Sequence, residues 1–326
     1  MTRHVVLLTY GEPPEARFGP QLAYSWRILW GLTRRVAPIP PFVIPFIALS
    51  RARFRVGLWR GHDYSSPIEA LTMAQARALE QTLAAGGDGP WRVHIGYEFR
   101  HPLLADVLDS IPPGEPVAVV PMYVAESEFT HDIARGQLAA RAAAGTAAGA
   151  AAIARVVPGL DADVLGAMSA RHILAELARR GVTPGPDWAL VLAAHGTLID
   201  PPRPMNTGRL ATEAVADAIA QRLAPHFGRV QRGWLNHVMG GEWTSPAADV
   251  AVRDLVAAGY RKLVYFPYGF LADNAESQLE GRMLLEAQPG LATVEHLPCL
   301  NEHADLAAAL ADAVRNTLAA PAAGGG

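Results

Sequence analysis

Residues 188–197 read WALVLAAHGT, an unbroken apolar run that ends on a histidine and a glycine. A strand with one solvated face alternates polar and apolar residues, whereas a strand buried on both faces inside a parallel sheet does not. This stretch therefore predicts a central parallel strand with His195 at its carboxyl end. Working outward, similar runs occur at 4–9 (HVVLLT), 92–96 (RVHIG), 117–122 (VAVVPM), 153–157 (IARVV), 229–235 (RVQRGWL), 262–268 (KLVYFPY) and 291–298 (LATVEHLP). Helix-period segments separate them at 66–84, 101–110, 130–150, 161–181, 208–225, 246–258, 274–287 and 303–318. Helices between strands supply the crossovers that parallel pairing needs, so the predicted class is α/β.

The order of elements repeats. The strand ending Thr9-Tyr10-Gly11 resembles the one ending Ala194-His195-Gly196. VVPMYVAES (119–127) and YFPYGFLAD (265–273) both run strand, proline, aromatic, polar loop, and ARVVPGL (154–160) and VEHLPCL (294–300) close the two halves. The expectation is two Rossmann-like lobes, each an open parallel sheet flanked by helices, facing each other across a cleft. The N-terminal lobe covers 1–158 and carries an apolar lip at about 26–47. The C-terminal lobe covers 159–326, carries His195 and Glu276, and includes the last helix (303–318) and a frayed Ala/Pro/Gly tail at 319–326.

The chain's 326 residues suit two domains of roughly 150 residues each. Half of them are hydrophobic and 18% are charged, which excludes a disordered chain. A net charge of −3 argues against a domain-wide field for nucleic acid. Cys299 stands alone, so one chain builds neither a disulfide nor a four-cysteine zinc or iron–sulfur site. The composition suits a reducing compartment, and a cytoplasmic location is expected. The apolar opening HVVLLT is too short for a secretory signal. The longest apolar run, VAPIPPFVIPFIAL (36–49), falls short of the roughly 18 residues a spanning helix needs and is broken by Pro38, Pro40, Pro41 and Pro45. It reads either as a Pro-rich connector packed on the core or as a lip touching a membrane surface. Nothing in the sequence sets the oligomeric state.

In open α/β sheets ligands bind beyond the carboxyl ends of the strands. The polar residues found there are Tyr10 and Glu12; Glu126, Ser127 and Thr130; His195; Asn236 and His237; and Asp273, Asn274 and Glu276. There is no GxxxxGK[ST] loop, no GxGxxG after the first strand, and no HExxH, CxxC or GxSxG, so nucleotide-dependent and zincin chemistry lack support. His195 is either a satisfied strand-end histidine or a metal ligand or general base. Asp273 and Glu276 form a D-x-x-E helix start, with Asp273 as N-cap and Glu276 at N3. Glu276 and Glu280 also share one helical face, and such a carboxylate pair serves a divalent cation or a proton. Tyr10, Trp234 and Trp243, together with the apolar 26–47 segment, suit a large flat ligand with carboxylates at its edge. Arg51, Arg53 and Arg55 either form a solvated face or meet those carboxylates.

Taken together, these motifs resemble the ferrochelatases, the class II tetrapyrrole chelatases, over most of the chain and in order. LLTYGEP (7–13) is similar to the family's opening strand and L-G-T-P turn, and SSPIEALTMAQARALE (65–80) to its S-P-L…Q-A-x-x-L helix. GYEFRHPLLADVL (96–108) resembles the R-Y…P segment and VPMYVAESEFT (120–130) the P-L-Y-P-x-x-S…T loop. AAHGT (193–197) resembles the S-A-H-[GS] strand end, WLNHVMGGEWTSP (234–246) the Q-S…G…W-L-x-P loop, and CLNE (299–302) the L-N segment before the last helix. VYFPYGFLADNAESQLE (264–280) resembles V-x-P-x-x-F-x-[SA]-D-H-x-E.

The resemblance implies insertion of a divalent metal, Fe2+ first, into a porphyrin in haem biosynthesis, with iron as substrate and no tightly bound cofactor. His195 matches the family's metal ligand or proton acceptor, and Glu276 its partner carboxylate across the cleft, with a planar macrocycle between them. Tyr10, Ser127, Thr130, His237, Trp243, Phe270, Asp273 and Asn274 match positions lining or supporting the tetrapyrrole pocket, and Glu280 a possible metal path. Four departures stand out. Asn274 takes the place of a second histidine, Asn236-His237 that of Gln-Ser, and Glu12 that of a threonine, while Leu284 ends the acidic row after Glu280. Two rival readings are a non-catalytic tetrapyrrole-binding protein and a chelatase for sirohydrochlorin or with another metal.

Overall fold

A computed structural model describes residues 1–33, 39–87, 89–143, 154–236 and 241–320. Its strands are β1 (Arg3–Thr9), β2 (Trp91–Tyr97), β3 (Val117–Pro121), β4 (Ala154–Val156), β5 (Trp188–His195), β6 (Arg229–Leu235), β7 (Lys262–Phe266) and β8 (Thr293–His296). They form two four-stranded sheets, in orders β2-β1-β3-β4 and β6-β5-β7-β8, with every pair parallel. The central strands β1, β3, β5 and β7 carry the unbroken apolar runs and are buried on both faces. The edge strands β2 and β8 are mixed and partly exposed, as an edge requires.

The described helices are α1 (Phe18–Ile28), α2 (Ile44–Gly61), α3 (Ile68–Ala85), α4 (Leu104–Ser110), α5 (His131–Ala143), α6 (Ala162–Arg179), α7 (Arg209–Leu223), α8 (Ala248–Ala257), α9 (Gly281–Glu286) and α10 (Ala304–Ala319). Two π-helical turns, Leu29–Thr33 and Ala275–Glu280, extend α1 and precede α9. In the first sheet, Val6, Leu8, Val117 and Val119 pack on Leu104, Val107 and Ala134 of the helices. In the second, Ala189, Val191, Leu263 and Tyr265 pack on Val252, Leu255 and Leu285.

Two helices, α1 and α2, run into the stretch read as a connector and lip and extend beyond it on either side. In α2 the buried Ile44, Ala48, Ala52 and Val56 recur every fourth position, but exposed phenylalanines and arginines between them hide the period. Pro45 sits in the first turn, where no N–H is needed. The chain divides into one unit of Met1–Leu160 plus the segment from Glu302 on, and a second of Asp161–Asn301. The last helix therefore belongs to the first unit, not to the C-terminal lobe expected from sequence. Its apolar stripe (Leu306, Leu310, Ala311, Val314) is buried, it packs on α3, β3 and β4, and Arg315 donates to the Thr82 and Leu83 carbonyls. An amphipathic stripe says that a helix must be covered but not by which sheet. Of the tail expected to fray, Ala319 closes α10 and residues 321–326 lie outside the described residues.

Candidate active site

The carboxyl end of β5 presents His195, and the backbone around it is packed tightly enough to fix it. A Cβ on Gly269 would lie 2.5 Å from the Ala194 Cα and 3.1 Å from the His195 nitrogen. A Cβ on Gly196 would lie 1.7 Å from the Asn236 Oδ1. Both positions need glycine because neighbouring chain approaches there. The loop after β5 is laced to the loop after β6. Gly196 N–H donates to the Leu235 carbonyl (2.8 Å) and Thr244 N–H to the Thr197 carbonyl (2.9 Å). Asn236 Nδ2 donates to the Thr244 carbonyl (2.8 Å). Trp243, half-buried, pairs with Leu198 in the same lacing.

His195 Nδ1 lies 2.6 Å from the Gly196 carbonyl oxygen, which only accepts. Nδ1 therefore carries the hydrogen, and in the neutral ring Nε2 keeps a lone pair. That nitrogen faces the Glu276 Oε2 at 3.9 Å. The side chains are 49% and 24% exposed, while the Glu276 Oε2 atom itself is enclosed.

Glu276 rides on the first turn after β7, and the cap of that turn corrects the sequence reading by one residue. Asn274, not Asp273, is the N-cap. Its Oδ1 accepts from Glu276 N–H (2.9 Å) and Ser277 N–H (3.1 Å), and Ser277 Oγ accepts from Asn274 N–H (2.9 Å). Asp and Asn cap equally well, so D-x-x-E and N-x-x-S compete within Asp273-Asn274-Ala275-Glu276-Ser277. Asn274 is 1% exposed, so it caps a helix instead of lining a pocket. Asp273 is a buried anchor. It accepts from Gln278 Nε2 (2.7 Å), Cys299 N–H (2.8 Å) and Asn301 Nδ2 (2.9 Å). Asn301 also accepts from Asp273 N–H and holds the positive φ that asparagine tolerates. His296 Nε2 donates to the Ser277 carbonyl (2.8 Å), and burial holds its pKa below the usual value. Burial pushes the Cys299 thiol well up, which makes it a packing residue here.

The expected separation of the pair is also corrected. His195 and Glu276 both lie in the second unit, in line with the C-terminal lobe expected to carry them, and it is the gap between them that differs. A ring held between two groups needs two contacts of roughly 3.5 Å, about 7 Å in all. At 3.9 Å the two atoms instead share one point in space, on one side of any ring. A single divalent ion with nitrogen and oxygen ligands at about 2.1 Å spans up to about 4.2 Å, so the gap fits one cation, or a proton taken up by the imidazole. Among the described residues no group of three or more His, Cys, Asp or Glu forms a metal cage. Two ligands suit an ion in transit.

The remaining candidates fall in several places. Phe270 follows β7, half-buried, and Glu280 lies half-buried on the turn that carries Glu276. Burial, then the charges of Cys299, Glu280 and Glu276, raise the pKa of the enclosed Tyr265 hydroxyl. Tyr10 packs on Tyr24, Ile28 and Phe99 in the first unit. Ser127 and Thr130 close a turn on themselves, with Ser127 N–H donating to Thr130 Oγ1 (2.9 Å) and Phe129 N–H to Ser127 Oγ (3.1 Å). Glu12 is buried against Arg55 at 2.9 Å. His237 lies outside the described residues. Gln278, Asn301 and Thr244 were missed as supports. Only the CLNE resemblance pointed near Asn301, without a role.

The chain is similar to the structure of CbiX, described as the terminal enzyme for biosynthesis of sirohaem in denitrifying bacteria, with a TM-score of 0.52 at 18% identity, over 96% of this chain and 99% of that one. SirB from Bacillus subtilis with Fe3+ gives 0.48 at 14%, over 98% and 96%. The first likeness identifies the fold as that of the chelatases. The family model described as ferrochelatase matches residues 3–318. The ferrochelatase of Thermosynechococcus vestitus is 25% identical over 287 residues, 85% of this chain and 72% of that protein. The chain belongs to the ferrochelatase family, and it is a metal chelatase of the lyase class whose substrates are a tetrapyrrole and a metal ion.

Proposed function

We propose that the chain inserts Fe2+ into a porphyrin in haem biosynthesis, with His195 and Glu276 as the catalytic pair. The observation that carries this reading is the 3.9 Å approach of an imidazole nitrogen on a half-exposed ring and an enclosed carboxylate oxygen on a partly exposed side chain. Two acceptors aimed at one point call for a cation between them. The metal arrives hydrated, and Nε2 and Oε2 replace part of its water. As it enters the ring, two pyrrole N–H protons must leave. Nε2 accepts one, and the imidazolium so formed is stabilised by the Glu276 carboxylate beside it, while the other proton passes to water or to Glu276. The site thus exchanges a dication for protons, and its charge stays balanced. Iron is substrate, and no tightly bound cofactor is proposed.

Imidazole with carboxylate holds several first-row metals, so affinity alone does not select iron. Arg55 on α2 and Arg100 after β2 are already engaged, by Glu12 and Glu69 respectively, each at 2.9 Å. An eight-carboxylate substrate favours a cleft rich in Arg and Lys, whereas the 26–47 lip is mostly apolar, which favours a porphyrin over sirohydrochlorin. An anaerobic panel of metals against protoporphyrin and sirohydrochlorin, read by metallated-ring absorbance, tests this. Fe2+ with protoporphyrin is expected to turn over fastest, and a preference for sirohydrochlorin contradicts the assignment.

The expected lip supports peripheral attachment to an anionic membrane surface from the cytoplasmic side. Between Glu15 and Asp63 the chain has no acidic residue but contains Arg17, Arg27, Arg34, Arg35, Arg51, Arg53, Arg55 and Arg60. Phe42, Phe46 and Phe54 are 75%, 72% and 68% exposed, and the exposed Trp26 and Trp30 stack 5.7 Å apart. Exposed aromatics among arginines suit an anionic interface. No helix among the described residues is long and apolar enough to cross a membrane. Sedimentation with phosphatidylglycerol vesicles should be lost in Phe42→Ser/Phe46→Ser/Phe54→Ser, and equal binding to neutral vesicles contradicts the charge argument.

A further inference from the structure

Asn274 stands where the family carries a second histidine, and its environment shows a different use. Every polar group of the residue is engaged within its own turn. Oδ1 takes the N–H groups of Glu276 and Ser277 at 2.9 and 3.1 Å, and Nδ2 donates to the Ala272 carbonyl at 3.0 Å. Its backbone N–H donates to Ser277 Oγ at 2.9 Å, and its carbonyl accepts from Ser277 Oγ at 3.2 Å and from Gln278 N–H at 2.9 Å. Asn274 and Ser277 are both almost wholly enclosed, so neither has a face for a substrate.

We infer that Asn274 is a positioning residue for the site: by holding the backbone N–H of Glu276 itself, its side-chain amide sets the direction from which the Glu276 carboxylate meets His195. This rests on the catalytic reading of Glu276 given above. The two members of the pair are held by independent means. His195 is fixed by β5, Gly269 and the laced loop, none of which includes Asn274. Loosening the cap therefore moves one member and leaves the other, and misplacement by about 1 Å is enough to cost roughly a hundredfold in a reaction that depends on alignment. A histidine cannot do the same work. An amide oxygen has two lone pairs for two N–H groups, whereas neutral imidazole has one acceptor nitrogen and a larger ring to seat in an enclosed space. The departure from the family pattern is thus a replacement of function and not a gap to be refilled.

The test compares Asn274→Ala, Asn274→Asp and Asn274→His in the full-length protein. Each is assayed anaerobically for Fe2+ insertion into protoporphyrin, for porphyrin affinity by fluorescence quenching, and for thermal midpoint. Asn274→Ala is expected to lower kcat about tenfold or more with porphyrin affinity within about threefold of the parent. Asn274→Asp, which keeps the acceptors, should recover to within roughly threefold. Asn274→His should be as slow as Asn274→Ala. In a Glu276→Gln background, Asn274→Ala should slow the residual rate no further, whereas general damage to the fold would multiply with it. Parent-rate insertion by Asn274→His or by Asn274→Ala overturns the inference, with the reading of Glu276 left standing if Glu276→Gln is slow. Parent-rate insertion by Glu276→Gln overturns both.

Discussion

The two units build the same platform and finish it differently. Both sheets place their strands in one order, and both second strands are pinned alike, Tyr97 N–H to the Pro102 carbonyl at 2.8 Å and Trp234 N–H to the Pro246 carbonyl at 3.0 Å. Pairing of Leu8 with Pro121, and of Leu192 with Phe266 just before Pro267, puts Tyr10 in the place of His195. Counting equally far from each proline puts Ser127 in the place of Asp273 and Thr130 in that of Glu276. The second unit thus ends on an imidazole and a carboxylate, the first on two hydroxyls. Neutral hydroxyls can hold and orient a ring but are poor proton acceptors at neutral pH. One scaffold carries both uses, and a few side chains decide which.

The largest expected effect breaks the symmetry at the reacting pair. His195→Ala should lower the insertion kcat about a hundredfold or more, whereas Tyr10→Phe and Thr130→Val should change it by less than about tenfold and act mainly on porphyrin KM. Comparable losses from the two units would remove the distinction. Next comes the anchor. Asp273→Ala leaves three donors without their carboxylate and should lower unfolding free energy by about 2–4 kcal/mol, against about 1 kcal/mol for Ser127→Ala, measured by denaturant titration. Gly269→Ala should cost roughly 1–3 kcal/mol in stability and also lower kcat, because the new methyl presses on the backbone at His195.

A separate effect, confined to acid pH, concerns His131. His131, which opens α5 in the first unit, is enclosed, and burial brings its pKa down from 6.5 to about 4. The unfolded chain therefore binds a proton before the folded one as pH falls. This contribution is intact above about 6.5 and is lost progressively down to about 4, to a limit of roughly 3 kcal/mol. His131→Gln should flatten the pH dependence of the denaturant midpoint in that window. An unchanged slope would assign the acid sensitivity elsewhere.

The central strands were legible because a parallel strand buried on both faces cannot hide an apolar run. The helix α2 was not, since its buried stripe of small residues lies between prolines and exposed phenylalanines. The end of the sheet on which His195 sits followed from the strand alone. Its distance from Glu276 did not, because a strand end and a helix start specify a face and leave separation to the turn between them. The cap was misplaced by one residue, for two adjacent residues of equal capping strength stand there. The home of the last helix was illegible because its partner sheet is set by the long-range path of the chain.

The central claim is that His195 and Glu276 act together at one point on one side of the ring. A kinetic double-mutant cycle tests it most directly, with His195→Ala, Glu276→Gln and the double variant assayed anaerobically for Fe2+ insertion at saturating porphyrin. Groups that work as a unit are non-additive, so the double variant should be no slower than the worse single variant, within about threefold. Losses that multiply would show two groups acting independently, as they would from opposite faces of the macrocycle, and would contradict the account.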